Sequence, residues 1–524
     1  MGRSKGISGG CRCPWGGRDL DAYIHPSLHE VPPTLTPLKR LASQTAIYGV
    51  SSVLGRFLNY LLVPLYTYSF LPAAYSVVVE FYAYMGFLAV ILAFGLETGY
   101  FRFREEPGLS ASLVFATVLR FLLLANTAFL LLTWALQLPL AQVLRHGAHP
   151  EYILWVATIL ALDSVGAIAF ARLRAEQRAM RFALIKLTEI ALNIALNLFY
   201  ILLCRQAFER DPASWLGGFW DPAIGVGYVF LANLVASVCK LLLLGPELRG
   251  VTGGFDWVLF RRLLRYSLPM VAIGLAGVVN EMLDRAALKF LLPHDLETNM
   301  AQLGIYGAVY KLSIIMGLFI QAFRYAGEPF FFAYASRTDA RHLYAQVMNW
   351  FVIFCVFIFL LVSLYLDLFQ YFVGAAYREG LWVVPLLLLA NLLLGIYVNL
   401  SIWYKLTDRT GLGAWVAVAG ALITLLTLVI LVPRFGFAGA AWAHLFCYSF
   451  MVLVSWLLGR RYYPVPYDLR RVLGYLGLGL GLFALARLLQ GLGLPALVAG
   501  TLGMTAYLVI VFLADGRTLL RRPT

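Results

Sequence analysis

The chain has 524 residues, of which 61% are hydrophobic and only 13% are charged, and its mean hydropathy is +0.79. A soluble protein of this length needs far more charge on its surface, so the composition excludes a soluble fold and predicts an all-α polytopic membrane protein. The formal net charge of +14 would suggest nucleic-acid binding in a soluble protein. Here the basic residues lie in alternate connections between apolar runs, which indicates membrane topology, and no nucleic-acid partner is expected.

Residues 1–36 differ in composition from the rest of the chain. They are rich in Gly, Pro, Arg and Ser and contain no apolar run, which excludes both a signal peptide and a membrane helix. A segment of this kind cannot bury enough apolar surface to fold. We therefore expect a disordered cytoplasmic tail, although a start codon assigned too far upstream would also explain the segment.

Fourteen apolar segments follow the tail. A membrane helix uses about 20 apolar residues to cross roughly 30 Å of hydrocarbon. The predicted spans lie near 42–66, 76–100, 110–136, 151–172, 183–204, 223–244, 266–290, 303–328, 345–366, 381–404, 411–432, 436–459, 470–490 and 493–514.

The distribution of Lys and Arg predicts how these spans are oriented. Connections on the side where the first span begins carry 23 of these residues. Because basic connections remain in the cytoplasm, both termini are predicted to be cytoplasmic, which agrees with an even number of spans. The opposite connections carry Arg145, Arg205, Arg210, Arg378 and Arg434.

The two halves of the chain resemble each other. One constant offset superimposes Glu97 on Glu328 and Arg174 on Lys405, and a slightly shorter offset superimposes Asn59 on Asn280. Six spans per half make the halves parallel repeats, an arrangement typical of transporters. We predict a tail at 1–36, an N-lobe at 37–262 with helices 1–6, and a C-lobe at 263–462 with helices 7–12. Helices 13 and 14 and a cytoplasmic C-terminus follow at 463–524.

Several short motifs resemble one known family. They are LASQTAIYGVSSVLGRFLNYLLVPLY at 41–66, FGLET at 94–98, YSLP at 266–269, DR at 284–285 and GIYG at 304–307. In this order they resemble the O-antigen and capsule flippases, the polysaccharide transporters of the multidrug/oligosaccharidyl-lipid/polysaccharide exporter superfamily. The resemblance covers about 40–514, and the chain departs from the usual family pattern at Ser76.

The resemblance implies two six-helix lobes around a V-shaped cavity that opens alternately to each face. It also implies a lipid-linked oligosaccharide as cargo, carried on undecaprenyl pyrophosphate and moved across the bacterial inner membrane for lipopolysaccharide or capsule assembly. Membrane lipids, a polysaccharide polymerase and glycosyltransferases are the further partners expected.

The sequence contains no recognisable catalytic machinery. The dipeptide Gly-Lys never occurs, so the chain has no GxxxxGK[ST] phosphate-binding loop. The longest outward connection, 205–222, is too short to fold as a catalytic domain, and we expect the protein not to be an enzyme. Alternatives are a cation-coupled multidrug exporter of the same superfamily, a peptidoglycan-precursor flippase and a membrane glycan polymerase.

Cations at membrane depth are the main candidates for a cargo site. A pyrophosphate cannot cross hydrocarbon unaided, and a cation inside the membrane costs roughly 2.5–3.5 kcal/mol on insertion scales. Such residues are therefore functional candidates. The predicted cargo-binding residues are Arg56, Arg285, Lys311, Arg324, Asn59 and Asn280.

Acidic residues on the seventh span leave two interpretations open. Glu281, Arg285 and Lys289 recur at intervals of four residues, with Asp284 beside them. They form either a self-neutralised ladder or an ion-coupling site in which Glu281 and Asp284 exchange H⁺ or Na⁺. No other cofactor is expected.

The remaining polar residues of the spans are expected to be structural. Arg120 and Asp163 lie at similar depth and are predicted to form an ion pair. Lys240 lies close enough to an interface to snorkel, and His444 is predicted to be a hydrogen-bonded packing residue. His146 and His149 share an outward loop with an acid, where a solvated loop is expected rather than a metal site.

The charge pattern makes a prediction about topology. Reporter fusions after residues 145, 295 and 378 should lie in the periplasm, and fusions after residues 178, 337 and 461 in the cytoplasm. Paired alkaline phosphatase and fluorescent-protein fusions measure this directly. An inversion at either interior pair would contradict both the topology and the parallel repeat.

Overall fold

The computed structural model describes residues 49, 53–249, 253–335 and 337–520. Within these ranges every regular element is a helix, and thirteen helices are long and apolar enough to cross a membrane. The prediction of an all-α, multi-pass membrane protein is therefore confirmed. The predicted tail at 1–36 lies outside the described residues.

The helices follow the order of the predicted spans. Residues 53–69 belong to the first span and form α1, which is helical except for a turn at Leu61. The next helices are α2 (Pro72–Arg104), α3 (Ala111–Ala135), α4 (Glu151–Ala175), α5 (Ala179–Arg210), α6 (Gly225–Leu243), α7 (Trp257–Leu291), α8 (Leu296–Phe332), α9 (Ala340–Leu364), α10 (Ala375–Leu406), α11 (Thr410–Phe435), α12 (Phe437–Tyr462), α13 (Leu469–Gly491) and α14 (Ala496–Asp515).

Polar side chains begin several of these helices. The Ser110 hydroxyl accepts a hydrogen bond from the backbone N–H of Leu113 at the start of α3. Asp256 and Asp295 do the same at the starts of α7 and α8. Each side chain satisfies a backbone donor that has no partner inside the helix, which defines where the apolar span begins.

The helix α2 is interrupted near its end. Phe94 and Gly95 both have positive φ, 49° and 63°. Gly95 also lies against α7, because a Cβ at this position would be 2.7 Å from the carbonyl oxygen of Ser267. The interruption therefore lets the backbones of α2 and α7 approach closely, and glycine suits both the conformation and the contact.

The sequence repeat has a structural counterpart. Arg174, in the last turn of α4, pairs with Glu97 of α2. Lys405 of α10 pairs with Glu328 of α8 at 2.6 Å. These are the residues that the sequence offset superimposes. The same ion pair therefore occurs once in each half of the chain.

The last two helices pack on the second half through α9. Gly479 of α13 lies against Val356, and Gly500 of α14 lies against the carbonyl group of Leu364. The Tyr507 hydroxyl donates a hydrogen bond to the carbonyl oxygen of Ile353 at 2.7 Å. The pair thus extends the second half without entering the contact between the halves described below.

The two halves pack closely at one end of the bundle, which we call the arginine-poor end because its connections carry few basic residues. Arg145, Arg205 and Arg378 lie at this end. Gly304 and Gly307 of α8 face α2 there, and a Cβ on Gly304 would collide with the carbonyl group of Pro72. A hydrogen bond adds to this contact: the Tyr377 hydroxyl, at the start of α10, donates to the carbonyl oxygen of Phe70, between α1 and α2, at 2.7 Å. The absence of side chains on the glycines allows this close packing of helices.

This packing can be tested with one methyl group. Gly304→Ala should destabilise the protein by about 1–3 kcal/mol, because the new Cβ meets a backbone carbonyl that cannot move freely. The thermal unfolding midpoint of the purified protein in detergent measures the effect. Gly317→Ala, on the same helix but facing open space, is the matched control and should be neutral or slightly stabilising. Equal midpoints for the two variants would contradict the proposed contact.

Candidate functional site

Two adjoining cavities lie between the halves. The first, of about 350 Å³, is bounded by α1, α2, α5 and α6 on one side and by α7 and α8 on the other. The second, of about 360 Å³, adjoins it between α1, α5, α6 and α8. Both are in the size range of ligand sites. The polar residues of the first cavity include Asn59, Tyr82, Asn193, Asn233, Arg285 and Lys311.

The cations of the first cavity come from the second half of the chain. Arg285 lies on the ring of Tyr310, with 3.7 Å between its guanidinium carbon and the ring centroid. Its Nη2 is buried and has no hydrogen-bond partner among the described residues. Lys311 forms no hydrogen bond or ion pair within the same part of the chain. Arg285 Nε lies 3.9 Å from Asp284 Oδ1 in an ion pair, so the Nη2 of Arg285 and the Lys311 ammonium are the groups available to a ligand in the cavity.

The second cavity has a mixed charge. Arg56 lines it from α1, and Lys186 and Glu189 line it from α5. The Lys186 ammonium donates to Glu189 at 2.8 Å. Because Glu189 is already paired, Arg56 supplies the free positive charge at this level of the cavity.

Two predicted cargo-binding residues lie elsewhere, which corrects the expectation. Arg324 is exposed and lines neither cavity. Asn280 is buried inside the second half, where its Nδ2 donates to the carbonyl oxygen of Ala417 at 3.1 Å and its Oδ1 accepts from Thr424 at 3.2 Å. The structure thus brings together Arg56, Asn59, Arg285 and Lys311 and assigns Asn280 to helix packing.

The two acids of the seventh helix have different surroundings. Asp284 is fully buried, and its Oδ2 accepts hydrogen bonds from the Tyr306 hydroxyl at 2.5 Å and from His444 Nε2 at 2.9 Å. Its Oδ1 and the Nδ1 of His444 have no hydrogen-bond partner among the described residues. Glu281 is exposed. An ion-coupling role for these two acids remains a prediction, with the hydrogen-bonded Asp284–His444 pair as its structural basis.

The ladder interpretation is wrong for Lys289. This residue is fully buried and pairs with Glu80 of α2, itself fully buried, at 3.0 and 3.1 Å. Glu80 also accepts from His146 Nε2 at 2.9 Å and from the Tyr84 hydroxyl at 2.6 Å. The partner of Lys289 therefore lies on the other half of the chain, at the arginine-poor end, and not one turn away on its own helix.

The predicted pair of Arg120 and Asp163 is also wrong. Asp163 pairs with Lys240 and accepts from the Ser237 hydroxyl at 2.9 Å. Lys240, which was expected to snorkel, is buried and also pairs with Glu189 at 2.7 Å. Arg120 is exposed and forms no ion pair within the described part of the chain. Similar depth in the membrane was not sufficient to predict an ion pair, because Arg120 lies on the outer face of its helix.

No protein-family model and no curated protein sequence matches the chain. Solved structures do match. The lipid II flippase MurJ in an inward closed conformation aligns with a TM-score of 0.66 and 14% identity over 92% of this chain and 100% of its own. An inward-facing multidrug resistance MATE family transporter of the MOP superfamily aligns with a TM-score of 0.59 and 15% identity over 81% and 97%. The MATE multidrug transporter DinF-BH in complex with R6G aligns at 0.56, with 17% identity over 86% and 99%.

The chain has the fold of MATE and MurJ transporters. At these identities the likeness concerns the fold, and it agrees at that level with the superfamily resemblance of the sequence motifs. The cavities between α1, α2, α7 and α8 therefore lie between the two halves of a known transporter fold.

Sequence analysis missed the residues that hold the halves together. Glu80 is an isolated acid inside an apolar span, which is a signal in itself, because such a residue requires a partner. His146 was expected in a solvated loop, but its side chain is buried against Glu80. His149 pairs instead with Glu151, and the residues described contain no group of side chains placed to hold a metal ion.

The buried pair makes a prediction about stability. Lys289→Met should sharply lower the folded yield, by about 3–5 kcal/mol in stability, because it leaves the Glu80 carboxylate buried without its cation. The double variant Glu80→Gln, Lys289→Met should recover much of this loss. Thermal unfolding and size-exclusion yield measure both.

The control is an exposed pair. Arg337 and Asp339 form an ion pair in solvent, so Arg337→Gln should leave the unfolding midpoint unchanged. If the double variant were no more stable than Lys289→Met, the pairing of Glu80 with Lys289 would not be the source of the effect.

Proposed function

We propose that the protein is a transporter that flips a polyprenyl-pyrophosphate-linked oligosaccharide across the bacterial inner membrane by alternating access, for surface polysaccharide assembly. It catalyses no reaction, and both termini lie in the cytoplasm. Glycosyltransferases would supply this cargo, and a polysaccharide polymerase would use it.

One observation carries this proposal: the first cavity is lined by two cations and, among the residues described, by no carboxylate. Lys311 lies 15 residues after the start of α8, or roughly 22 Å along the helix at 1.5 Å per residue. Cations at such depth are costly unless they are paired or serve an anionic ligand, and Lys311 forms no ion pair with any described residue. A pyrophosphate with at least two negative charges matches two cations on adjacent helices.

The same observation argues against the multidrug alternative. A cationic drug entering this cavity would meet Arg285 and Lys311, with no carboxylate among the described lining residues, and like charges repel. A lipid-linked anion gains from both cations. The polyprenyl chain would remain in the surrounding membrane lipids.

A second candidate is a peptidoglycan-precursor flippase. The likeness to the lipid II flippase MurJ extends over more of this chain than the likeness to the MATE transporter of the MOP superfamily. Lipid II also presents a pyrophosphate and a glycan, so the cationic wall would suit it as well. The two cargoes differ in their glycan and peptide, and supplying each in turn distinguishes them.

The coupling ion is part of the proposal. Glu281 and Asp284 are candidates to exchange H⁺ or Na⁺ with the cargo cycle. The buried carboxylate of Asp284 and the imidazole of His444 share a hydrogen bond, and this is the contact that we propose for proton exchange.

The cationic site can be tested by removing charge. Arg285→Gln and Lys311→Gln should each lower the flipping rate of an undecaprenyl-pyrophosphate-linked oligosaccharide in proteoliposomes by tenfold or more. Arg56→Gln should also reduce it, whereas Arg56→Lys should retain partial activity, because the charge persists without the bidentate guanidinium. Fluorescence quenching of labelled cargo in the outer leaflet measures the rate.

The matched control is Arg487→Gln. Arg487 lies on α13, is exposed, and is hydrogen-bonded to Gln490 outside both cavities. Its loss should not change the rate. Normal flipping by Arg285→Gln, or dye efflux by the wild type without lipid flipping, would contradict the proposed function.

A further inference from the structure

The wall opposite Arg285 and Lys311 is polar but uncharged. Asn59 of α1, Asn193 of α5 and Asn233 of α6 line both cavities, and they stand where the two cavities adjoin. All three belong to the first half of the chain, whereas Arg285 and Lys311 belong to the second. Within the first cavity, the three amides and the two cations therefore come from different halves.

Two of these amides belong to a continuous chain of hydrogen bonds. The Tyr66 hydroxyl donates to Asn197 Oδ1 at 2.9 Å, and Asn197 Nδ2 donates to Asn193 Oδ1 at 3.2 Å. Asn193 Nδ2 then donates to Asn59 Oδ1 at 3.4 Å. Asn197 is fully buried, and α5 becomes a π-helix directly after it, at Leu198–Cys204. The hydrogen bond from the buried Asn197 fixes the orientation of the Asn193 side chain. The π-helix beside it is a kind of turn that is frequent at functional sites.

At the cavity, this wall has hydrogen-bonding groups that have no partner among the described residues. Asn59 Nδ2 makes no hydrogen bond to any of the described residues, and the side chain is exposed. Asn233 donates to the Tyr82 hydroxyl at 3.4 Å, which leaves its carbonyl oxygen free to accept from a ligand. The wall thus offers both donors and acceptors, with no net charge.

The repeat supplies an internal comparison. Asn280 is the counterpart of Asn59 in the second half, and there the amide is buried and bonded through both its nitrogen and its oxygen. An asparagine that serves only helix packing at this position has hydrogen-bond partners for both its amide nitrogen and its amide oxygen. Asn59 instead keeps donors directed to the cavity, which packing does not require.

We propose that Asn59, Asn193 and Asn233 form a saccharide subsite that binds hydroxyl or acetamido groups of the cargo while Arg285 and Lys311 hold its pyrophosphate. This assignment rests on the proposed function. A carboxamide donates and accepts at once, as a sugar hydroxyl does. Being neutral, it does not compete with the cations for the pyrophosphate. The rings of Tyr66 and Tyr82 on the same wall offer apolar surface to the face of a sugar ring.

The test compares two probes on the full chain in lipid nanodiscs. One is undecaprenyl pyrophosphate, and the other is undecaprenyl pyrophosphate carrying a single N-acetylhexosamine. Microscale thermophoresis gives both dissociation constants. We expect the wild type to bind the sugar-bearing probe at least fivefold more tightly. Asn59→Leu, Asn193→Leu and Asn233→Leu should each reduce this ratio towards one while the affinity for the sugar-free probe stays within twofold.

Controls separate the subsite from the cation site. Gln490→Leu removes an amide of α13 that lies outside both cavities, where it accepts from Arg487, and should keep the wild-type ratio. Arg285→Gln should weaken both probes together. Where a Leu variant fails to fold by size-exclusion chromatography, the corresponding Ser variant replaces it, because serine keeps a small polar group and still removes the amide.

The outcomes distinguish the two proposals. If the wild type binds the sugar-free probe and the sugar adds nothing, the subsite is wrong and the proposed function stands. A loss of affinity for both probes in the asparagine variants would also overturn the subsite, since it would indicate a structural role. If neither probe binds the wild type, the proposed function itself fails.

Discussion

A charge between membrane helices must find its counter-charge on another helix or face a cavity, because hydrocarbon cannot solvate it. This constraint organises the molecule. Lys289 of α7 reaches Glu80 of α2 across the two halves. Lys240 of α6 reaches Asp163 of α4 and Glu189 of α5 within the first half. Each pair fixes the rotation of the helices that carry it, which apolar packing alone would leave less well defined.

The same constraint separates structural cations from those available for binding. Lys289 and Lys240 are buried and satisfied by acids, so neither has charge to offer a ligand. Arg285 rests on an aromatic ring and keeps a donor without a partner, and Lys311 lines the same cavity. Lys311, which forms no ion pair with any described residue, and the free donor of Arg285 are thus found at the cavity, while the paired lysines hold its walls in position. A binding surface arises here because pairing was left incomplete.

Depth along the chain was predictable, whereas rotation about each helix was not. Hydropathy located the spans because length and apolarity are properties of a linear segment. The repeat offset also identified Glu97 and Glu328, whose ion pairs recur in both halves. The predicted ion pair of Arg120 with Asp163 was wrong because two side chains at the same depth in the membrane can point in different directions around their helices.

Two further residues mark this limit. Asn280 matched Asn59 in the repeat, but its side chain closes its bonds inside the second half. Glu80 was not predicted as a paired residue because its partner, Lys289, is 209 residues away in the sequence. Contacts between halves depend on how complete helices pack, and no local pattern in the sequence encodes that arrangement.

The helices that carry the cavity cations are unusually long. The helix α7 has 35 residues and α8 has 37. At 1.5 Å per residue α8 extends roughly 55 Å, well beyond the roughly 30 Å of a hydrocarbon core. Both helices therefore have length in reserve at their ends, and matching this length to the bilayer by tilting costs only fractions of a kcal/mol per Å. A change of tilt would carry Arg285 and Lys311 to a different height while the helix ends stay in contact with water. With this extra length, a change in bilayer thickness need not leave an end of either helix inside the hydrocarbon.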